Sequence, residues 1–179
     1  MEISAPGRVC LFGEHQDYLG LPVLAMAISL RSIIKSVPRN DSLVIIRKPD
    51  IDETEKFDLN KIKYSSSKDH FKSGLKVCKR FGFKFSKGFE CDLRSKIPIK
   101  AGTSSSSSIL VTWIHFLSQI ADNAKKLDRN TIAELAYQAE VIEFSSPGGM
   151  MDQYSTSWGG LIYLESNPKI SIEQIDTNL

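Results

Sequence analysis

No stretch of about 18 consecutive apolar residues occurs in this chain, so nothing in it reads as a membrane-spanning helix. The opening residues Met1-Glu2-Ile3-Ser4-Ala5-Pro6 carry neither a basic segment nor a long apolar core, so no secretory leader is expected. Charge of one sign is missing too. The 23 Lys and Arg against 21 Asp and Glu leave +2, too little to predict nucleic acid or an anionic membrane as a partner. Cysteine is scarce: Cys10, Cys78 and Cys91 form no CxxC pair and no metal-ligand spacing. An odd, widely spaced set without a framework suits a cytoplasmic setting. What remains is 179 residues, 41% hydrophobic and 25% charged, the balance of one globular domain. A domain of that length buries about 70% of the surface its unfolded chain exposes and needs no staples.

Local patterns divide the chain. Val9 to Phe12, between Pro6-Gly7 and Gly13, reads as a buried strand, and Val23 to Ile28 is a second apolar run. Ser32–Val37 and Leu43–Arg47 flank Pro38-Arg39-Asn40-Asp41 and predict a hairpin. Residues 48–56 are polar and acidic, a surface loop. Phe71, Leu75, Cys78 and Phe81 follow helical spacing ahead of Gly82, while Phe89, Cys91 and Leu93 alternate with charged residues as in a strand with one wet face. Ile109 to Ala121 is apolar enough for a buried helix. Thr131-Ile-Ala-Glu134 has the form of a capping box and predicts a helix through Phe144, burying Ile132, Leu135, Ala136, Ala139 and Ile142. Strands follow at Leu161–Leu164 and around Ile170, Ile172 and Ile175. His70, His115, Trp113, Trp158, Met150 and Met151 read as structural.

The run Ser104 to Ser108 has two readings. Five serines can be a flexible linker. Here, though, Ile97-Pro-Ile-Lys-Ala-Gly102 precedes them and an apolar helix follows without a spacer. Small hydroxyl residues leading into a helix let an anion approach the unpartnered N–H groups and the positive end of the dipole. Lys100 would add a cation. The segment matches neither GxxxxGK[ST] nor GxGxxG.

Two acidic groupings also stand open. Arg8, Glu14, His15 and Asp17 gather at the end of a short strand, as a polyol pocket or as a solvated loop with a surface ion pair. Glu140 sits on the helix after Thr131, and Asp152 lies past the breaker Pro147-Gly148-Gly149. Asp152 suits a general base or metal ligand, and equally a helix cap.

Taken in order, these segments resemble the GHMP superfamily of small-molecule kinases. Ala5-Pro-Gly-Arg-Val-Cys-Leu-Phe-Gly-Glu-His-Gln-Asp-Tyr18 is similar to the galactokinase signature, Pro98 to Ser108 to the phosphate-binding loop, and Glu140 to Gln153 to the third motif. The resemblance spans residues 5 to about 165. It implies an α+β fold, a mixed β-sheet packed by α-helices in the ribosomal protein S5 domain 2-like arrangement. It implies that residues 1–179 are the N-terminal ATP- and sugar-binding domain, with the C-terminal domain of the family outside this chain and a necessary partner. The activity implied is transfer of the γ-phosphate of ATP to a sugar hydroxyl, with ATP and Mg2+. By position, Arg8 and Asp152 would be catalytic. Glu14, His15, Asp17, Tyr18 and Gly149 would hold the sugar. Lys100, Gly102, Ser104, Ser105, Ser106 and Ser107 would wrap the ATP phosphates, and Ser106 with Glu140 would hold the metal.

The chain departs from the family at Lys100, Thr103, Ser107-Ser108 and Leu19-Gly20-Leu21, where the usual residues are Gly, Leu, Ala-Ala and, in galactokinases, Asn-Gly-Gly. Two rival functions belong to the same resemblance: a sugar- and ATP-binding regulator without turnover, and a kinase of a non-sugar alcohol such as mevalonate. Because family members are about twice as long, this half alone is expected to bind ATP weakly and to turn over slowly or not at all.

Overall fold

The computed structural model describes residues 1–66, 68–99 and 101–176. A seven-stranded mixed sheet carries four helices: β1 Glu2–Phe12, β2 Val23–Pro38, β3 Leu43–Lys48, β4 Glu53–Asp58, α1 His70–Arg80, β5 Phe89–Ser95, α2 Ser105–Ile120, α3 Arg129–Glu140, α4 Met151–Trp158, β6 Leu161–Glu165 and β7 Ser171–Ile175. The strand order is β4-β3-β5-β2-β6-β7, with β1 also paired to β2. This is the α+β architecture the resemblance implies. No helix among the described residues is long and apolar enough to cross a membrane.

β2 is the spine of the sheet. It pairs antiparallel with β1 over most of its length, with β6 through Val23–Met26 and with β5 through Ser32–Pro38. The register of β1 on β2 shifts between Pro6 and Arg8, where Gly7 alone stands opposite the three β2 residues between Ala27 and Arg31.

The hairpin expected between Ser32–Val37 and Leu43–Arg47 does not form. β5 lies between them, antiparallel to β2 and parallel to β3. Its alternating Phe89, Cys91 and Leu93 enter the core beside Ile34, Val44 and Ile46, which no two-strand hairpin would bury. The actual hairpin joins β3 to β4 in the segment read as a loop, because Glu53 to Asp58 form a charged edge strand with Phe57 alone buried. Nor is Val9 to Phe12 a buried strand: Phe12 is 73% exposed.

The helices cover one face. Phe71, Leu75 and Cys78 of α1, Leu110, Trp113, Ile114 and Leu117 of α2, and Ile132, Leu135 and Ala136 of α3 meet the strand residues in one cluster. Trp113 is fully buried at its centre and donates from Nε1 to the Phe71 carbonyl at 2.9 Å. α1 passes close enough for this only because residue 74 is Gly: a Cβ there would lie 2.7 Å from Trp113 Cδ1. α3 starts earlier and ends sooner than its pattern suggested. Asp128, not Thr131, is the N-cap, accepting from the Thr131 N–H at 2.8 Å. The helix stops at Glu140, and Ile142 is exposed. A smaller cluster of Val23, Ala25, Met151, Tyr154, Ile162 and Leu164 fixes α4 against β2 and β6.

Candidate functional site

Two helix N-termini and the register shift of β1 on β2 at Arg8 converge on one place. The serines are not a linker: Ser104 caps α2 and Ser105 to Ser108 are its first turn. Ser104 takes a left-handed conformation (φ 54°) and makes no side-chain cap, so the opening N–H groups of α2 point outward without a side-chain acceptor. Ser108 anchors the turn from inside, donating to the Ala5 carbonyl at 3.0 Å and lying 3.1 Å from Ser32 Oγ. β1 is thereby tied to α2 just ahead of Arg8.

Arg8, 4% exposed, is the hub. Its Nε and Nη2 reach Asp152 Oδ1 at 2.8 and 2.6 Å, its Nη1 donates to the Gly102 carbonyl at 2.7 Å, and its Nη2 stands 3.5 Å from Glu14 Oε1. The Arg8 N–H donates to the Thr103 carbonyl at 3.2 Å. Strand β1, the loop before α2 and the first turn of α4 are therefore joined through one residue. Asp152 Oδ2 has no protein donor among the described residues, which leaves one carboxylate oxygen for a ligand.

A recess of about 370 Å3 opens beside this pair, lined by Arg8, Glu14, His15, Asp17, Ser107, Glu140, Gly149 and Asp152 among others. Asp17 is buried, and its Oδ2 accepts the Met151 N–H at 2.7 Å. Gly149 is needed because any Cβ there would collide with the Asp17 carboxylate. Glu140 Oε2 accepts from Gln153 Nε2 at 2.7 Å. A second recess of about 420 Å3 lies over the serine turn, lined by Gly102, Ser104, Ser105 and Ser106 with Pro98, Ile99 and Ile109.

Most residues singled out from sequence meet here; three need comment. Tyr18 is 58% exposed and lines neither recess. Ser106 faces the serine-turn recess, whereas the serine that shares a wall with Glu140 is Ser107. Lys100 lies outside the described residues. Conversely, His70, read as structural, stands in the wall of the 370 Å3 recess with Lys68. Burial pushes the His70 imidazole below its ordinary pKa, and the nearby Glu140 carboxylate only partly restores it. No sequence pattern announced it, because His70 is a lone histidine that reaches the recess only as the first residue of α1 in the folded chain. Cys10 beside Glu14 has its thiol pushed up to about 11, by burial first and by Glu14 next, so it stays protonated at neutral pH.

Comparison with known proteins gives matches over the same segments. Residues 69–160 match the family described as GHMP kinases N terminal domain, and residues 2–35 match the galactokinase galactose-binding signature. Mevalonate kinase of Methanocaldococcus jannaschii is 30% identical over 173 residues, covering 93% of this chain and 54% of that protein. Galactokinase of Homo sapiens is 31% identical over 166 residues, covering 89% of this chain and 42% of that one. The crystal structure of Lactococcus lactis galactokinase with galactose superposes with a TM-score of 0.86 at 25% identity, covering 98% of this chain and 47% of that one. The chain spans about half the length of the relatives it matches.

Proposed function

Because the chain belongs to the GHMP kinase family, we propose that residues 1–179 form the ATP- and acceptor-binding domain of a kinase that transfers the γ-phosphate of ATP to a sugar hydroxyl, as a galactokinase does. The observation that carries this reading is the Arg8 hub, which holds a carboxylate with a free oxygen against a helix N-terminus lined by serines. Phosphoryl transfer needs positioning and charge neutralisation more than covalent help from the protein. In this reading the N–H groups at Ser105 and Ser106, with the Gly102 loop, seat the phosphates. Arg8 neutralises charge on the transferred group. Asp152 orients the attacking hydroxyl and accepts its proton through Oδ2. Glu14, His15 and Asp17 hold the remaining hydroxyls, and the Gly149 backbone completes the wall.

The donor set fits Mg2+, a hard cation that takes one or two carboxylates and leaves its other positions to phosphate and water. Glu140 supplies the carboxylate, and Ser107 is the hydroxyl beside it in the same recess. Mg2+ there would neutralise phosphate charge. Among the described residues no group of three or more His, Cys, Asp and Glu could hold a metal ion.

The match of residues 2–35 to the galactose-binding signature supports a sugar as the acceptor. Exposed Tyr18 and the comparable identity of the mevalonate kinase relative, 30% against 31%, favour a second reading, a non-sugar alcohol. Calorimetric titration of galactose against mevalonate distinguishes them. For the chemistry, Asp152→Asn in the kinase containing this chain lowers kcat by about 10²–10⁴-fold with the fold intact. Unchanged acceptor-dependent ADP release would remove Asp152 as the base.

A further inference from the structure

α4 carries Asp152 at one end; its other end closes on a separate recess of about 470 Å3. Arg31, His115, Lys126, Arg129, Thr156 and Trp158 contribute to its wall, and no acidic side chain among the described residues does. Arg31, Lys126 and Arg129 take part in none of the ion pairs among the described residues. Thr156 is 1% exposed and its Oγ1 has no hydrogen-bond partner. Such an atom ordinarily finds one.

The cations are also placed against local electrostatics. Arg129 is the first residue of α3, Lys126 stands just ahead of its cap, and the first turn holds no acidic residue. A helix start favours negative charge, so cations there oppose the dipole. The Asp128 carboxylate is occupied by Thr131, accepting from its N–H at 2.8 Å and its hydroxyl at 2.9 Å. Asp128, between Lys126 and Arg129 in sequence, stays ionised and offsets one of these charges; the three exposed cations still outnumber it, an excess that a bound anion would balance. Their geometry is partly set. Arg31 donates from Nε and Nη2 to Ser4 at 3.0 and 3.1 Å, which fixes the guanidinium and leaves Nη1 for another acceptor. The Arg129 guanidinium lies 5.7 Å from the Trp158 ring centroid, and the indole is held by a 2.8 Å bond from Nε1 to Asn130 Oδ1. A cationic fork beside an aromatic wall suits a dianionic head on a flat or apolar body.

We infer that this recess binds a small phosphorylated organic molecule, at a site separate from the Arg8–Asp152 pair. The inference does not depend on the kinase reading. Titration of the 15N-labelled 179-residue chain with phenyl phosphate, followed by amide and indole NMR shifts, tests it. Saturable shifts are expected at the Trp158 indole N–H and the Gly159 amide, with none from phenol at equal concentration. The double variant Lys126→Gln/Arg129→Gln should weaken binding at these reporters at least tenfold. Arg31→Gln, on β2 and outside α3, should weaken it at least threefold and supplies the same test should the double variant fail to fold. Shifts confined to the Gly102–Ser106 loop, equal affinity in a folded variant, or equal binding of phenol would each overturn the inference.

Discussion

Adding one methyl group at Gly149 tests whether the recess beside Arg8 and Asp152 is built as described. A Cβ at that position falls inside the van der Waals shell of the Asp17 carboxylate. Asp17 cannot simply step aside, because it is 6% exposed and its Oδ2 holds the Met151 N–H at 2.7 Å. The methyl therefore fits only if that bond breaks. Losing a charge-assisted hydrogen bond costs about 1.5–3 kcal/mol, and crowding a packed position adds about 1–3 kcal/mol. Gly149→Ala should then destabilise by about 2.5–6 kcal/mol, a fall in Tm of roughly 5–24 °C at 2–4 °C per kcal/mol for a domain of this size. The control is Asp17→Ala, which leaves Met151 N–H unpartnered but opens the space. In that background the second substitution should cost less than about 1 kcal/mol, a coupling of at least about 1.5 kcal/mol in a double-mutant cycle by urea denaturation. Equal costs in the two backgrounds, or a stable Gly149→Ala single variant, would refute the reasoning.

Gly74→Ala should destabilise by up to about 2 kcal/mol in urea, since overpacking against the fixed indole of Trp113, about 1–3 kcal/mol, outweighs a helix-propensity gain of about 1 kcal/mol. Asp41 is held down to about 2 by hydrogen bonding from Arg39, and Asp58 and Asp128 are lowered by backbone N–H groups of Asn60 and Thr131. Depressed carboxylates stabilise above their unfolded pKa of about 3.9 and lose that stabilisation as pH falls toward the folded value. The urea midpoint should therefore drop between about pH 4 and pH 2; a flat midpoint contradicts it. Cys10, with its thiol pushed up to about 11, should be alkylated slowly at pH 8 and about tenfold faster per added pH unit, read by mass spectrometry. Fast alkylation at pH 7 would contradict the burial and Glu14 contact that raise it.

Elements with a strong internal rhythm were legible without coordinates. The 3.6-residue spacing of Phe71, Leu75 and Cys78 and the two-residue spacing of Phe89, Cys91 and Leu93 report burial directly, and both elements formed. Pairing was not legible, because it depends on what comes between. Pro38 to Asp41 looks like a hairpin turn until β5, fifty residues later, takes the place beside β2. β4 went unseen because an edge strand shows its charges and buries little. In the site, Arg8 and Asp152 were visible by motif, but their 2.6 Å contact and the role of the Gly102 carbonyl depend on tertiary packing. His70 gave no signal, since a lone histidine at a helix start looks the same in a core as in a recess. Asp128 was passed over because Thr131 and Glu134 imitate a cap three residues downstream.

Arg8 grips the loop before α2 twice, by its main-chain N–H on Thr103 and its Nη1 on Gly102, while its other nitrogens hold α4. Strand, loop and helix therefore lose freedom together: a molecule that settles one of them has already met part of the ordering cost of the others. If the proposed kinase reading holds, nucleotide and acceptor should enter as cooperating guests, each tightening the other by one common factor, since thermodynamic linkage is reciprocal. Shortening this side chain to lysine, which keeps the charge but lacks the planar fork, would leave two independent seats where there had been a coupled pair.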